Sequence, residues 1–133
     1  MKTSALFTDF YELTMAQGYW KHGFDKKAVF DVFFRRQPFQ GGFSVFAGLD
    51  PVLDTLENLR FSGDDLEWLS SSGIFEAGFL EYLAGFRFKG DIHAVPEGEI
   101  VFPQIPLLRI QAGLIEAQII EGMVLNTINF QSL

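Results

Sequence analysis

A chain of 133 residues with a net charge of -7, 48% hydrophobic residues and sixteen phenylalanines is long and apolar enough to bury a core, which excludes intrinsic disorder. The acidic balance opposes nonspecific capture by nucleic acid or anionic lipid, and the lack of cysteine removes disulfides, thiolate catalysis and zinc-thiolate sites. No apolar run reaches the roughly 18 residues of a membrane span and the N-terminus has no secretory h-region, so a cytoplasmic setting is expected, without membrane or nucleic-acid partners.

The first helix is expected to start near Thr8 or Asp9 and end near Gly23. With Asp9 as N-cap, Glu12 falls at the third position and completes a capping box. Residues 28–36, AVFDVFFRR, alternate as a strand, with Phe30, Val32 and Phe34 on one face and Asp31, Phe33 and Arg35 on the other. QPFQGG then reads as a hairpin turn, Gly41 and Gly42 supplying positive φ, into a second strand, FSVFA. A helix is expected near Pro51 to Leu59, and Ser62 with Asp65 makes a capping box before a short helix that SSSG closes. Phe75, Phe79, Leu80, Leu83 and Phe86 share one stripe of a fourth helix.

From Phe88 the texture changes to short strands punctuated by Pro and Gly, a compact β-module. Leu114 to Leu133 closes the chain with Ile115, Ile119, Ile120, Met123, Val124 and Ile128 at helical spacing, an apolar helix that needs cover on more than one side. The fold class is therefore α+β, with helices ahead of a small antiparallel β-module.

Metal chemistry is disfavoured, because His22 and His93 lie far apart and neither has a second ligand at zinc spacing. Asp64 and Asp65 read as acidic residues at the positive end of a helix dipole rather than as a catalytic pair. Arg35 and Arg36 end an apolar strand, where guanidinium forks can hold a phosphate; edge protection or an ion pair with Asp31 is an equally weighted alternative. Tyr11 can stack on a flat heteroaromatic ring while Asp9 accepts a hydrogen bond from it; taken alone, the two read more simply as core and cap.

Four ordered blocks shift that balance: LFTDFYELTMAQGYWKHG at 6–23, AVFDVFFRRQPFQGGFSVFAGL at 28–49, LRFSGDDLEWL at 59–69, and FRFKGDIHAVPEGEIVFPQIPLLRIQAGLIEAQIIEGMVLNTINFQSL from 86 to the end. In these blocks the chain resembles nicotinate phosphoribosyltransferase over essentially its whole length. The resemblance implies a type II phosphoribosyltransferase fold in which residues 1–133 form the N-terminal domain and 114–133 lead towards an α/β barrel beyond Leu133. It implies an NAD-salvage enzyme that joins nicotinate to phosphoribosyl pyrophosphate, giving nicotinate mononucleotide and pyrophosphate with coupled ATP hydrolysis, dependent on magnesium and ATP held mainly outside this segment.

It further implies a homodimer with shared active sites, Tyr11 stacking on the pyridine ring with Asp9 beside it, and Arg35, or Arg36 one residue on, holding phosphate at the partner's site. No catalytic or metal-ligating residue is assigned within 1–133, neither histidine matches the family's phosphorylated histidine, and the segment alone is expected to be inactive. Tyr19, Gly41 and Gly42 match the family blocks in packing and turn roles; Gly113 stands where relatives place proline. Without a barrel, the last helix and the Phe-rich surface are expected to lose their cover. The alternatives are a non-catalytic assembly or binding module, and a relative specific for nicotinamide or quinolinate.

Overall fold

The computed structural model describes residues 3–132, in the order α1 (Phe10–His22), β1 (Lys27–Val32), β2 (Ser44–Val45), α2 (Leu49–Asn58), α3 (Gly63–Ser71), α4 (Ala77–Ala84), β3 (Asp91–Ala94), β4 (Ile100–Val101), β5 (Leu108–Gly113) and α5 (Leu114–Ser132). The α+β expectation holds, with four helices ahead of the β-rich stretch and one after it. Leu133 lies outside the described residues, so α5 is followed to Ser132.

α5 is apolar around most of its circumference, and the chain itself supplies much of the cover that a barrel was expected to provide. α1, α2, β1 and β5 all pack against it, burying Ile115, Ile119, Ile120, Met123, Val124 and Ile128. Each such side chain contributes roughly 1.5–3 kcal/mol of transfer free energy, so this helix is the mechanical centre of the domain. The expectation that α5 loses its cover is thus corrected. The aromatic surface does stay open, with Phe7, Phe24, Phe33, Phe39, Phe43 and Phe130 all exposed.

The principal sheet has the order β1-β5-β3, antiparallel throughout. Val32 pairs with Leu108 and Phe30 with Ile110; Leu108, Ile110 and Ala112 lie buried on one face, while Arg109 and Asp31 are on the exposed face. Placing β5 in the middle joins sequence-distant segments, so the stretch after Phe88 is not a separate module: its last strand completes a sheet that β1 begins. Gly90 permits the close approach at its edge. A Cβ there would stand 2.5 Å from Ala112 Cβ and 2.7 Å from the Gln111 carbonyl.

The expected strand over 28–36 is shorter than its alternation suggested. Pairing stops at Val32, although Leu107 still donates to the Val32 carbonyl and Gln104 to that of Phe34. Side-chain alternation survives the loss of regular pairing, since Phe34 is buried and Phe33 exposed. The QPFQGG hairpin is also corrected. β2 pairs with β4, not β1, and the segment between is a single 3-10 turn over Pro38–Gln40. Positive φ falls on Phe39 (54°) and Gln40 (58°), whereas Gly41 has φ -69°.

Of the two capping boxes, Ser62 and Asp65 form theirs, each side chain accepting from the other's backbone N–H. Asp9 occupies the N-cap position of α1 with extended backbone, yet makes no side-chain cap, and Glu12 has been drawn elsewhere. The helix expected to carry the aromatic stripe is shorter, so Phe75 and Phe86 flank α4; Phe75, Phe79, Leu83 and Phe86 are buried and Leu80 is partly so, with Phe75 stacking near Phe79 and Phe86 meeting Phe61 edge-on.

Candidate functional site

Asp9 and Tyr11 stand together at the start of α1, where the entering chain and the first helical turn face α5. Asp9 is exposed, and its carboxylate makes no cap bond to the helix that would occupy it. Tyr11 is 48% exposed, and its backbone is fixed in the helix. Its hydroxyl is 3.5 Å from Glu121 Oε1 on α5, at the limit of hydrogen bonding. Desolvation raises the phenol pKa, and the carboxylates of Glu121, Glu12 and Asp9 act in the same direction. Tyr11 is therefore a neutral, amphipathic ring, suited to stacking.

Arg35 and Arg36 lie in the bend after β1, both exposed. Neither makes a side-chain hydrogen bond or ion pair among the described residues. Asp31, the alternative partner, is instead held by Arg109 directly across the sheet, at 2.7 Å and 3.0 Å through two nitrogens. The structure thus brings Asp9 and Tyr11 together and leaves the two arginines on a separate segment, with no bond linking the pairs.

Neither of two open clefts brings the four residues together. One of about 550 Å³ runs between Ser4, Asp54, Asn58, Arg60 and Asp65. Another of about 510 Å³ is bounded by Phe39, Phe43, Val45 and Ser132. His22 and His93 are both exposed. Among the described residues no group of three or more His, Cys, Asp or Glu is placed to hold a metal ion. No helix among the described residues is long and apolar enough to cross a membrane.

Sequence reasoning missed the environment of Glu12. It is fully buried at the α1/α5 contact, with Thr8 bonded to Oε2 and Gly122 against Oε1. Spacing alone placed it in a local cap, and nothing in the sequence signals a partner 110 residues away. Glu97, equally unforeseen, accepts backbone N–H bonds from Gly48, Leu49 and Asp50 and caps α2 from outside its own segment.

The structure is an α+β domain with an aromatic and a carboxylate at the start of α1 and two exposed arginines on another segment. Residues 6–129 match the family model described as the nicotinate phosphoribosyltransferase (NAPRTase) N-terminal domain. The chain belongs to this family. It is 48% identical over 128 residues to nicotinate phosphoribosyltransferase pncB2 of Mycobacterium tuberculosis, covering 96% of this chain and 28% of that protein. It is 45% identical over 130 residues to the nicotinate phosphoribosyltransferase of Bacillus subtilis, covering 97% and 26%.

Human nicotinic acid phosphoribosyltransferase superposes with a TM-score of 0.82 at 35% identity, over 91% of this chain and 25% of that one. The chain therefore spans about a quarter of the length of the relatives it matches.

Proposed function

We propose that this chain is the ring-binding flank of an NAD-salvage enzyme that condenses nicotinate with phosphoribosyl pyrophosphate to nicotinate mononucleotide and pyrophosphate, with coupled ATP hydrolysis. The observation that carries the reading is the family match from residue 6 to residue 129, which places the open Tyr11 and Asp9 within a nicotinate phosphoribosyltransferase domain. In this reading Tyr11 stacks on the pyridine ring and Asp9 accepts a hydrogen bond beside it. Arg35, with Arg36 as the neighbouring candidate, holds a phosphate through a charge-assisted fork.

The separation of these two pairs supports a homodimeric arrangement in which each site draws on two chains. A cytoplasmic setting rests on the composition of the sequence, and the requirement for magnesium and ATP rests on the resemblance alone. What these residues contribute is positioning: displacement at the anomeric carbon builds positive charge on the sugar, and a clamped ring and phosphate bring nucleophile and leaving group into line.

The test joins this chain to the remainder of the Mycobacterium tuberculosis relative and measures nicotinate mononucleotide formation. Tyr11→Ala is expected to weaken nicotinate binding by about 1 to 3 kcal/mol through lost stacking area. Arg35→Ala is expected chiefly to raise the requirement for phosphoribosyl pyrophosphate, by roughly 1.5 to 3 kcal/mol. Unchanged Michaelis constants would refute the assigned roles. Turnover of nicotinamide or quinolinate in place of nicotinate would change the substrate, and no turnover with any of the three would favour the non-catalytic module.

A further inference from the structure

Glu12 is a charged residue type with no exposure, wedged between α1 and α5. Its Oε1 makes no hydrogen bond of good geometry among the described residues, although the Gly122 backbone lies against the carboxyl. The notch that receives it exists because residue 122 is glycine: a Cβ there would fall 2.7 Å from Oε1 and 3.0 Å from Oε2. On the other side, the Thr8 hydroxyl is in hydrogen-bond contact with Glu12 Oε2 and lies 3.3 Å from the Ile119 carbonyl of α5. A single hydroxyl proton gives only one of these two acceptors a full-strength hydrogen bond. A proton on Glu12 resolves the conflict, with Oε2–H donating to Thr8 and Thr8 donating to Ile119; the orphaned Oε1 is then a neutral carbonyl rather than half of a buried anion.

We propose that Glu12 is a positioning residue, its carboxyl joining Thr8 to the glycine notch of α5 and so fixing the first turn of α1 from which Asp9 and Tyr11 project. The roles of Asp9 and Tyr11 rest on the function proposed above; the placement of Glu12 does not. Burial raises the Glu12 pKa above its usual 4.5, and Glu121 on α5 and Asp9 on α1 push the same way, while Thr8 and the Gly122 backbone offset part of the effect. Tyr11, titratable like Glu121 and Asp9 at this contact, stays neutral across the same range.

A folded-state value above the unfolded one contributes stability that is fully present below 4.5 and lost as pH rises through the folded value. Glu12→Gln keeps the shape, donates from its amide to Thr8 and cannot ionise. Its stability relative to the unsubstituted chain should therefore increase as pH rises above 4.5 and level off once Glu12 has ionised.

The experiment follows the Tyr11 ring by NMR in this chain, unsubstituted and with Glu12→Gln, Glu12→Ala and Gly122→Ala. Glu12→Ala and Gly122→Ala should shift the Tyr11 signals with the rest of the fold retained, and Glu12→Gln should restore them. Gly122→Ala also covers the case in which Glu12→Ala fails to fold. Alanine is the better helix former, so Gly122→Ala should destabilise when Glu12 is present and stabilise when residue 12 is alanine.

In the joined enzyme, Glu12→Ala should raise the KM for nicotinate about tenfold with kcat within about twofold, and Glu12→Gln should bring it back. A joined enzyme without nicotinate turnover would count against the proposed function alone, because the Tyr11 signals decide the role of Glu12 independently. Tyr11 signals that ignore Glu12→Ala and Gly122→Ala, or that move as far with Glu12→Gln, would overturn it.

Discussion

Replacing Glu97 with alanine should loosen the start of α2, which Glu97 ties to the turn between β3 and β4. The N-cap of α2 is Gly48, at φ 105°, where a Cβ would stand 3.1 Å from Gln131 Cβ and 3.2 Å from the Thr127 carbonyl. That position can neither carry a capping side chain nor readily acquire one, so the first amides of the helix depend on a residue from elsewhere. Glu97 Oε1 meets three of them, at 2.7 Å from Gly48 N, 2.5 Å from Leu49 N and 3.4 Å from Asp50 N. Hydrogen bonds to a charged group contribute about 1.5–3 kcal/mol, and an anion at the positive end of a helix about 0.3–1 kcal/mol.

Because Glu97 is exposed, water competes for the freed amides and the lower part of that range applies. The expected loss for Glu97→Ala is about 1.5–2 kcal/mol. Glu97→Gln keeps an acceptor oxygen and removes only the charge, so it should lose about 0.3–1 kcal/mol, less at high salt. Urea denaturation of the chain at two salt concentrations measures both. An alanine variant within about 0.5 kcal/mol of the unsubstituted chain, or a glutamine variant as damaged as alanine, would refute the cap.

At acid pH the cross-strand pair of β1 and β5 should be visible. The Arg109 guanidinium holds Asp31 below its usual 3.8, so the contribution of the pair is present above that value and lost as pH falls through the folded-state value. Asp31→Asn should accordingly flatten the acid limb of a plot of Tm against pH, and an unchanged limb would assign the acid sensitivity elsewhere. Gly90→Ala should destabilise by about 1–3 kcal/mol or more, because the new Cβ would fall within 2.8 Å of Ala112 Cβ, the Gln111 carbonyl and Phe88 Cζ. A neutral result in thermal unfolding would mean that β3 moves away from β5 at little cost.

Local periodicity determined much of this chain. The aromatic stripe of α4, the Ser62–Asp65 capping box and the apolar run of α5 are each set by residues within a few positions of one another, so their spacing shows the element and the face it buries. The α+β class follows from those elements in order. The resemblance carried by the sequence blocks singled out Asp9 and Tyr11, which the fold then holds together on one exposed turn.

Tertiary structure decided the partners. The alternation through Phe34 is a real pattern of burial, but only β5, arriving more than 70 residues later, sets where strand pairing ends. Asp31 was weighed as a partner for Arg35 or Arg36 and belongs to Arg109 because the register of β1 against β5 places them opposite each other. Glu12 had the spacing of a cap, and burial against Gly122 gave it a different task. A carboxylate at helical spacing has the same sequence signature whether it turns back on its own backbone or inserts into the next helix; only the packing of α1 on α5 selects between them.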